Sequence, residues 1–175
     1  MITQTLNPIS NGTYQECMSA YGHWQAMSDD SNTTVIYVEN NTLKTDTYNL
    51  GNPTRIGSIR KVTVNVYAGL LVVSTGTGTA FGKTALYNGS SLSYGPETNM
   101  GSSGSSYYTL TTEYALNPWT GNPWTWDEVD ALQAGVALRL DSGGGYWYCV
   151  ARKCWVVVES GIPTGSGQII GLSAW

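Results

Sequence analysis

The single histidine is the residue to test first for catalysis. His23 lies beside Trp24, in a stretch without sustained periodicity. Nucleophilic catalysis by serine needs an imidazole positioned at the nucleophile, and the chain contains no G-x-S-x-G motif. The 12 Asp and Glu residues could form a glycosidase pair only if the fold brings two of them together, and caps, turns and strand faces account for most of them. We therefore interpret His23 as a structural or surface residue and predict that the protein is not an enzyme.

The thiols could bind zinc only with the histidine. The four potential ligands are Cys17, His23, Cys149 and Cys154. They lack the close C-x2–4-C spacing of structural zinc sites, so we predict no zinc site. Cys149 and Cys154 fall on one predicted strand, about 16 Å apart at ~3.3 Å per residue, whereas a disulfide needs Cα atoms within ~7 Å. We expect the cysteines to be buried free thiols.

Carboxylates near two predicted strand ends offer hard oxygen ligands for calcium. The candidates are Asp29, Asp30 and Asp46. The spacing of an EF-hand loop is absent, and an Asx turn explains the same residue types. We predict no bound metal and no other cofactor, with calcium at these three residues as the alternative.

Three tryptophans lie close together in the sequence, at Trp119, Trp124 and Trp126. Stacked on a sugar ring they would form a carbohydrate platform, whereas folded under a sheet they would form a small core of their own. We favour the small core because the helix predicted after them has only Val129 and Leu132 to bury and needs a cover.

Composition limits the fold class and the partners. The chain has 175 residues, a net charge of -4 and only 11% charged residues, less than half of the roughly 25% usual in soluble domains. Ser, Thr, Asn and Gly dominate the polar remainder, which favours an all-β domain. The scattered cations predict no nucleic-acid partner, since that affinity depends on clustered Lys and Arg. The absence of an apolar run near ~20 residues and of a signal-peptide pattern predicts no membrane partner and no export by a leader.

The strands are recognised by alternation and by turn residues. Ile59–Ala68 alternates with period two, which predicts one buried and one exposed face. Thr34–Val38 and Thr45–Leu50 flank Asn40-Asn41 and are interpreted as a hairpin. Asn88-Gly89 is the strongest short hairpin signal in the chain.

A single short helix is predicted after Thr125. Thr125 and Glu128 have the spacing of a capping box, in which each side chain accepts a hydrogen bond from the other residue's backbone amide. Val129 and Leu132 share one face, and Gly135 is predicted to end the helix in a left-handed conformation.

The chain divides into three parts. We predict an irregular N-terminal arm and first strand region over residues 1–33, a β-sandwich core over 34–160, and a C-terminal tail over 161–175. The tail has more apolar content than a free terminus usually shows, which predicts intersubunit contacts or packing back on the sandwich. Its candidate interaction residues are Ile169, Ile170, Leu172 and Trp175.

The segment from Asn117 to Val136 carries a family resemblance. Its N-P-W-T-G-N-P-W-T-W run, followed by A-L-Q-A-G-V, resembles tailed-phage and metagenomic virion proteins of jelly-roll type. The strand order from Asp29 to Glu159 is also similar. The resemblance implies a jelly-roll-like β-sandwich with one short α-helix, and a structural role in the particle.

From this resemblance we expect a capsid decoration or stabilising protein on the outside of the shell. Its partners would be the major capsid protein and further copies of itself, as a homotrimer assembled in the host cytoplasm. The alternative is a carbohydrate-binding or receptor-binding module of a tail fibre. That module would use Trp119, Trp124 and Trp126, or Tyr107 and Tyr108, as its platform.

Overall fold

The strands and helices follow one another along the chain as a β-rich series. A computed structural model describes residues 1–28, 34–142 and 145–161. Its elements are β1 (Ile2–Leu6), β2 (Pro8–Gln15), β3 (Met18–Ser19), α1 (His23–Ser28), β4 (Ile36–Val38), β5 (Lys44–Leu50), β6 (Ser58–Val72), β7 (Gly78–Tyr87), β8 (Leu92–Tyr94), β9 (Thr98–Asn99), β10 (Ser106–Tyr114), α2 (Trp126–Asp130), β11 (Gln133–Ser142) and β12 (Trp147–Gly161).

These strands form two antiparallel sheets that pack face to face. Sheet A has the order β10-β6-β12-β4-β3, with β1 also paired to β12, and sheet B has the order β2-β5-β11-β7-β8, with β9 also paired to β7. Successive strands from β4 to β7 alternate between the sheets. The last two strands then insert between earlier ones, β11 between β5 and β7 and β12 between β4 and β6. This is jelly-roll topology, so the predicted all-β sandwich is confirmed.

The core lies between the two sheets, as the alternation predicts. Val62, Val64 and Val66 of β6 are fully buried. Leu138 and Leu140 of β11 belong to the same cluster from the opposite sheet. Apolar residues at every second position therefore make the inner face of each sheet, which is the stabilising contact of a sandwich.

A β-bulge explains why both cysteines of β12 face the core. Residues five apart on a regular strand point to opposite faces. The register of β12 on β6 shifts between Ala151 and Lys153, so one residue is inserted and the alternation changes phase. Cys149 and Cys154 are consequently both buried, as is Cys17, and all three are free thiols as predicted.

One predicted hairpin is correct and the other is wrong. Asn88-Gly89 joins β7 and β8, which pair antiparallel, and Gly89 has φ +92. The segments around Asn40-Asn41 become β4 and β5, which belong to different sheets. In a jelly roll this connection crosses from one sheet to the other. Turns within a hairpin and turns that cross between sheets contain the same residue types, so the sequence does not distinguish them.

The predicted helix is confirmed, but its end is not where the sequence placed it. Thr125 and Glu128 form both hydrogen bonds of the capping box, and α2 ends at the C-cap Ala131. Gly135 lies in β11, where an added Cβ would be 1.9 Å from the backbone oxygen of Asp46. Close approach of two strands therefore requires this glycine. The second short helix, α1, was not predicted.

The N-terminal segment is more regular than predicted. In residues 1–33, β1 pairs with β12 and β2 pairs with β5, so strands occupy part of the segment for which we predicted an irregular arm and a first strand region. Both strands lie along sheet edges and bury few side chains, which leaves little apolar periodicity to detect. Residues 29–33 and 162–175 lie outside the described residues, and with them Asp29, Asp30 and the tail residues Ile169, Ile170, Leu172 and Trp175.

Candidate functional site

The loop between β10 and α2 is held by its own turn. The backbone amide of Gly121 donates to the carbonyl of Asn117, and that of Asn117 donates to the carbonyl of Asn122. Gly121 has φ +70, which a residue with a side chain rarely adopts. Trp119 lies within this turn, and Trp124 follows it.

The three tryptophans do not form one flat platform. Trp124 is 4% exposed and its indole N–H donates to the carbonyl of Tyr114 at 3.0 Å. Trp126 donates to the carbonyl of Gly57 at 2.8 Å. The rings of Trp119 and Trp124 meet edge to face, at 87° and 6.4 Å between centroids. All three pack against the main core between the sheets, together with Val129 and Leu132, rather than forming a small core of their own, and sugar binding by the segment stays a prediction.

A cavity of about 300 Å³ opens beside these rings. We call it the tryptophan pocket. It is lined by Asn88, Asn117, Trp119, Thr120, Trp124, Asp127, Glu128 and Ala131. Its walls come from the loop, from α2 and from the β7–β8 turn, which are distant in sequence. Indole walls with a few convergent polar groups are typical of small-molecule sites.

Asn117 presents an unused donor at this pocket. The residue is 4% exposed, and its Oδ1 accepts a hydrogen bond from the backbone amide of Trp119 at 2.9 Å. That bond identifies which side-chain atom of Asn117 is the oxygen, so the Nδ2 hydrogens are the ones that it leaves without a partner. Nδ2 has no acceptor among the described residues, and it is not sealed from solvent. Asn117 lines the pocket, so this donor is available beside the cavity.

Asn88 and Glu128 have similar unused groups. Oδ1 of Asn88 accepts from the backbone amides of Ser90 and Ser91, which holds the turn and leaves its Nδ2 for another partner. Oε2 of Glu128 accepts from the backbone amide and the hydroxyl of Thr125. The capping box thus uses one carboxylate oxygen and leaves Oε1 available.

Two carboxylates make the pocket acidic. Asp127 forms an ion pair with Arg55 at 2.7 Å, and Arg55 also pairs with Asp130. The hydrogen bonds from Arg55 to Asp130 and Asp127 raise the pKa of this guanidinium above its usual value. One cation therefore serves two carboxylates, of which Asp127 lines the cavity and Asp130 does not, and Glu128 adds a further negative charge to the lining.

A second polar cluster lies around Asp46, one of the calcium candidates. Asp46 is fully buried on β5. Its Oδ1 accepts from the backbone amide of Cys17 at 2.8 Å, and its Oδ2 accepts from the hydroxyl of Tyr48 at 3.2 Å and contacts Nδ1 of His23. The carboxylate therefore holds the N-terminal segment against sheet B, and a calcium ion would have to displace these partners.

The same cluster contains His23, whose imidazole pairs with the buried Asp46 carboxylate.

The cluster also affects the Cys17 thiol. Burial, and next in size the charge of the Asp46 carboxylate, raises the pKa of this thiol far above its ordinary value. A nucleophilic thiol needs the opposite shift. Within residues 1–28, 34–142 and 145–161, no group of three or more His, Cys, Asp or Glu side chains is placed to hold a metal ion.

The outward face of sheet A carries aromatic and apolar side chains, which we call the outer aromatic face. Tyr67 and Tyr107 stack at 5.5 Å, and Arg152 lies 4.2 Å above the Tyr107 ring. An apolar depression of about 150 Å³ lies at one end of this face. It is lined by Val35, Tyr37, Leu71, Tyr148 and Val150.

The two tyrosines proposed as a second platform do not share a face. Tyr107 pairs with Gly69 and Tyr108 pairs with Ala68 in the β10–β6 register. Neighbouring residues of a strand point to opposite faces, so only Tyr107 belongs to the outer aromatic face.

Sequence reasoning identified the tryptophans but missed the polar residues beside them. Asn117 falls within the recognised segment, and its place before a proline and a tight turn was the available signal. Asn88 was interpreted only as a turn residue, and nothing in the sequence relates it to Trp119. No helix in the described part of the chain is long and apolar enough to span a membrane.

Comparisons of the chain with protein-family models, with curated proteins and with solved structures find no match.

Proposed function

We propose that this protein is a structural component of a bacteriophage particle. In this proposal it is a decoration or stabilising protein that binds the outside of the capsid shell as a homotrimer. It assembles on the particle in the host cytoplasm, contacts the major capsid protein, and carries out no catalysis.

The segment from Asn117 to Val136 carries the proposal. Its sequence resembles virion proteins of jelly-roll type, and in this protein it packs against the core between the two sheets. Trp124 is buried there, and Val129 and Leu132 of the helix region face the same core. The segment that carries the resemblance is therefore a stabilising part of the scaffold, in keeping with a role based on adhesion.

The outer aromatic face supports the proposal as a surface for contacts with other proteins. Aromatic residues and arginine are enriched at protein interfaces, and Tyr67, Tyr107 and Arg152 combine these types on one sheet. A protein that binds only the assembled shell stabilises it by mass action, and symmetry repeats a modest contact many times.

The test is the copy number of the chain in purified particles of the phage that encodes it. We expect a stoichiometry set by the capsid symmetry, measured against the major capsid protein by quantitative mass spectrometry, and crosslinks between the two proteins. Absence from intact particles would overturn the proposal. A handful of copies, crosslinked to tail proteins, would overturn the decoration role in favour of a fibre component.

A second candidate function is a carbohydrate-binding or receptor-binding module. The tryptophan pocket favours it, since indole walls and unused hydrogen-bonding groups converge on one cavity. The two candidates make different predictions about free sugars, which a decoration protein does not need to bind.

A further inference from the structure

We infer that the tryptophan pocket binds a single ring of a neutral sugar. The inference deepens the second candidate function and does not depend on whether the chain is found in capsids. It follows from the size of the cavity, from its indole wall and from the donors and acceptors that the fold leaves unused there.

The size of the cavity limits the ligand. At about 300 Å³ the tryptophan pocket lies at the lower end of the ~300–1,000 Å³ range of ligand sites. One pyranose ring suits such a volume, and further units of a glycan would extend into solvent.

The indoles provide an apolar wall. Trp124 is held by its bond to the carbonyl of Tyr114 and is 4% exposed. Trp119 is only half buried, and the two rings meet at 87°. The corner between the two rings matches the C–H faces of a sugar ring, which pack on aromatic surfaces.

The polar groups match hydroxyls, which donate and accept at once. Asn117 and Asn88 each offer Nδ2 hydrogens, and Glu128 offers Oε1 as an acceptor. A hydroxyl of the ligand can accept from Asn117 and donate to a carboxylate.

The charges distinguish this ligand from two others. Asp127 and Glu128 disfavour phosphate and acidic sugars by like-charge repulsion. A quaternary ammonium ion would suit the indoles and the carboxylates. It has no acceptor, however, for the Nδ2 hydrogens of Asn117 and Asn88, so a neutral sugar uses more of the pocket.

The experiment is a titration of the full chain with methyl glycosides of glucose, galactose, mannose and N-acetylglucosamine. Binding is followed by saturation-transfer NMR and by tryptophan fluorescence, with tetramethylammonium as a competing ligand. We expect saturable binding of at least one glycoside. Absence of binding to all four at millimolar concentrations, or stronger binding of tetramethylammonium, would overturn the inference.

Variants test the site with little change of shape. Asn117→Asp keeps the oxygen that accepts from Trp119 and removes the Nδ2 donor, and Asn88→Asp does the same at the β7–β8 turn. Each lost donor is expected to weaken binding about two- to tenfold, since a net hydrogen bond contributes modestly to affinity. Trp119→Ala should abolish binding.

The matched control is Trp126→Phe, because Trp126 does not line the cavity. It should bind like the wild type. Equal binding by Asn117→Asp, Asn88→Asp and the wild type would overturn the inference, and the exposed Asn88 keeps this test valid if Asn117→Asp fails to fold. Failure of sugar binding leaves the virion proposal intact, whereas absence from particles leaves the sugar site intact.

Discussion

Replacement of Asp46 tests the role assigned to the buried polar cluster. This carboxylate is fully buried and accepts from the Cys17 amide and the Tyr48 hydroxyl, and it pairs with His23. If it joins the N-terminal segment to sheet B, its removal leaves buried donors without acceptors. Asp46→Ala is therefore expected to destabilise the fold strongly, and Asp46→Asn less.

The magnitude follows from the exposure of each donor. Tyr48 is fully buried and the Cys17 amide lies in a buried residue, whereas the His23 side chain is 21% exposed and can reach water. Two unsatisfied buried donors at ~1–3 kcal/mol each, with the loss of a buried pair, give about 3–5 kcal/mol for Asp46→Ala. Asp46→Asn keeps one acceptor for Cys17, and the Tyr48 hydroxyl can rotate to accept, so about 1–2 kcal/mol is expected.

The assay is urea unfolding at pH 7 followed by tryptophan fluorescence, supported by calorimetry. For a domain of this size Asp46→Ala should lower Tm by roughly 6–20 °C. The control is Asp141→Ala, an exposed carboxylate of β11 paired with Arg139, which should change stability by about 0.5 kcal/mol or less. Stability of both Asp46 variants within about 0.5 kcal/mol of the wild type would refute the assigned role.

Two further predictions concern titration and thiol chemistry. Hydrogen bonds from Arg139 lower the pKa of Glu97 in the folded protein. The ionised Glu97 side chain therefore stabilises the fold at pH values above its unfolded-state pKa, near ~4.3. This stabilisation is lost as the pH falls through the lower pKa of the folded state. Urea unfolding at neutral and acid pH should show that acidification lowers the free energy of unfolding more in the wild type than in Glu97→Gln. The difference should stay below about 1 kcal/mol because Glu97 is partly exposed, and equal losses would contradict it. Burial raises the pKa of Cys149 and of Cys154 to about 12 and that of Cys17 further. Ellman's reagent at pH 8 should therefore label no thiol in the folded protein and three after unfolding, and rapid labelling of the native chain would disprove this.

Local signals in the sequence were sufficient for several elements. The alternation of Val62, Val64 and Val66, the Asn88-Gly89 turn and the capping box at Thr125 each describe interactions within a few residues. Such patterns record which face is buried and where a helix starts, because the responsible contacts are local or face a common core.

The same signals failed where a distant strand decides the outcome. Gly135 has the residue type of a helix end, but it is required by the backbone of Asp46 on the neighbouring strand. The turn at Asn40-Asn41 was assigned to a hairpin because the sequence does not show which sheet each flanking strand joins.

The candidate site divides in the same way. The sequence by itself determined an all-β chain with buried thiols and a short capped helix that needs the neighbouring tryptophan-rich segment as a cover. Only the tertiary structure placed Asn88 beside Asn117 and Trp119, and only it turned Asp46 inward to hold His23 and Cys17. The physical reason is that patterning specifies which faces are buried, whereas the crossing of strands between two sheets decides which distant side chains meet.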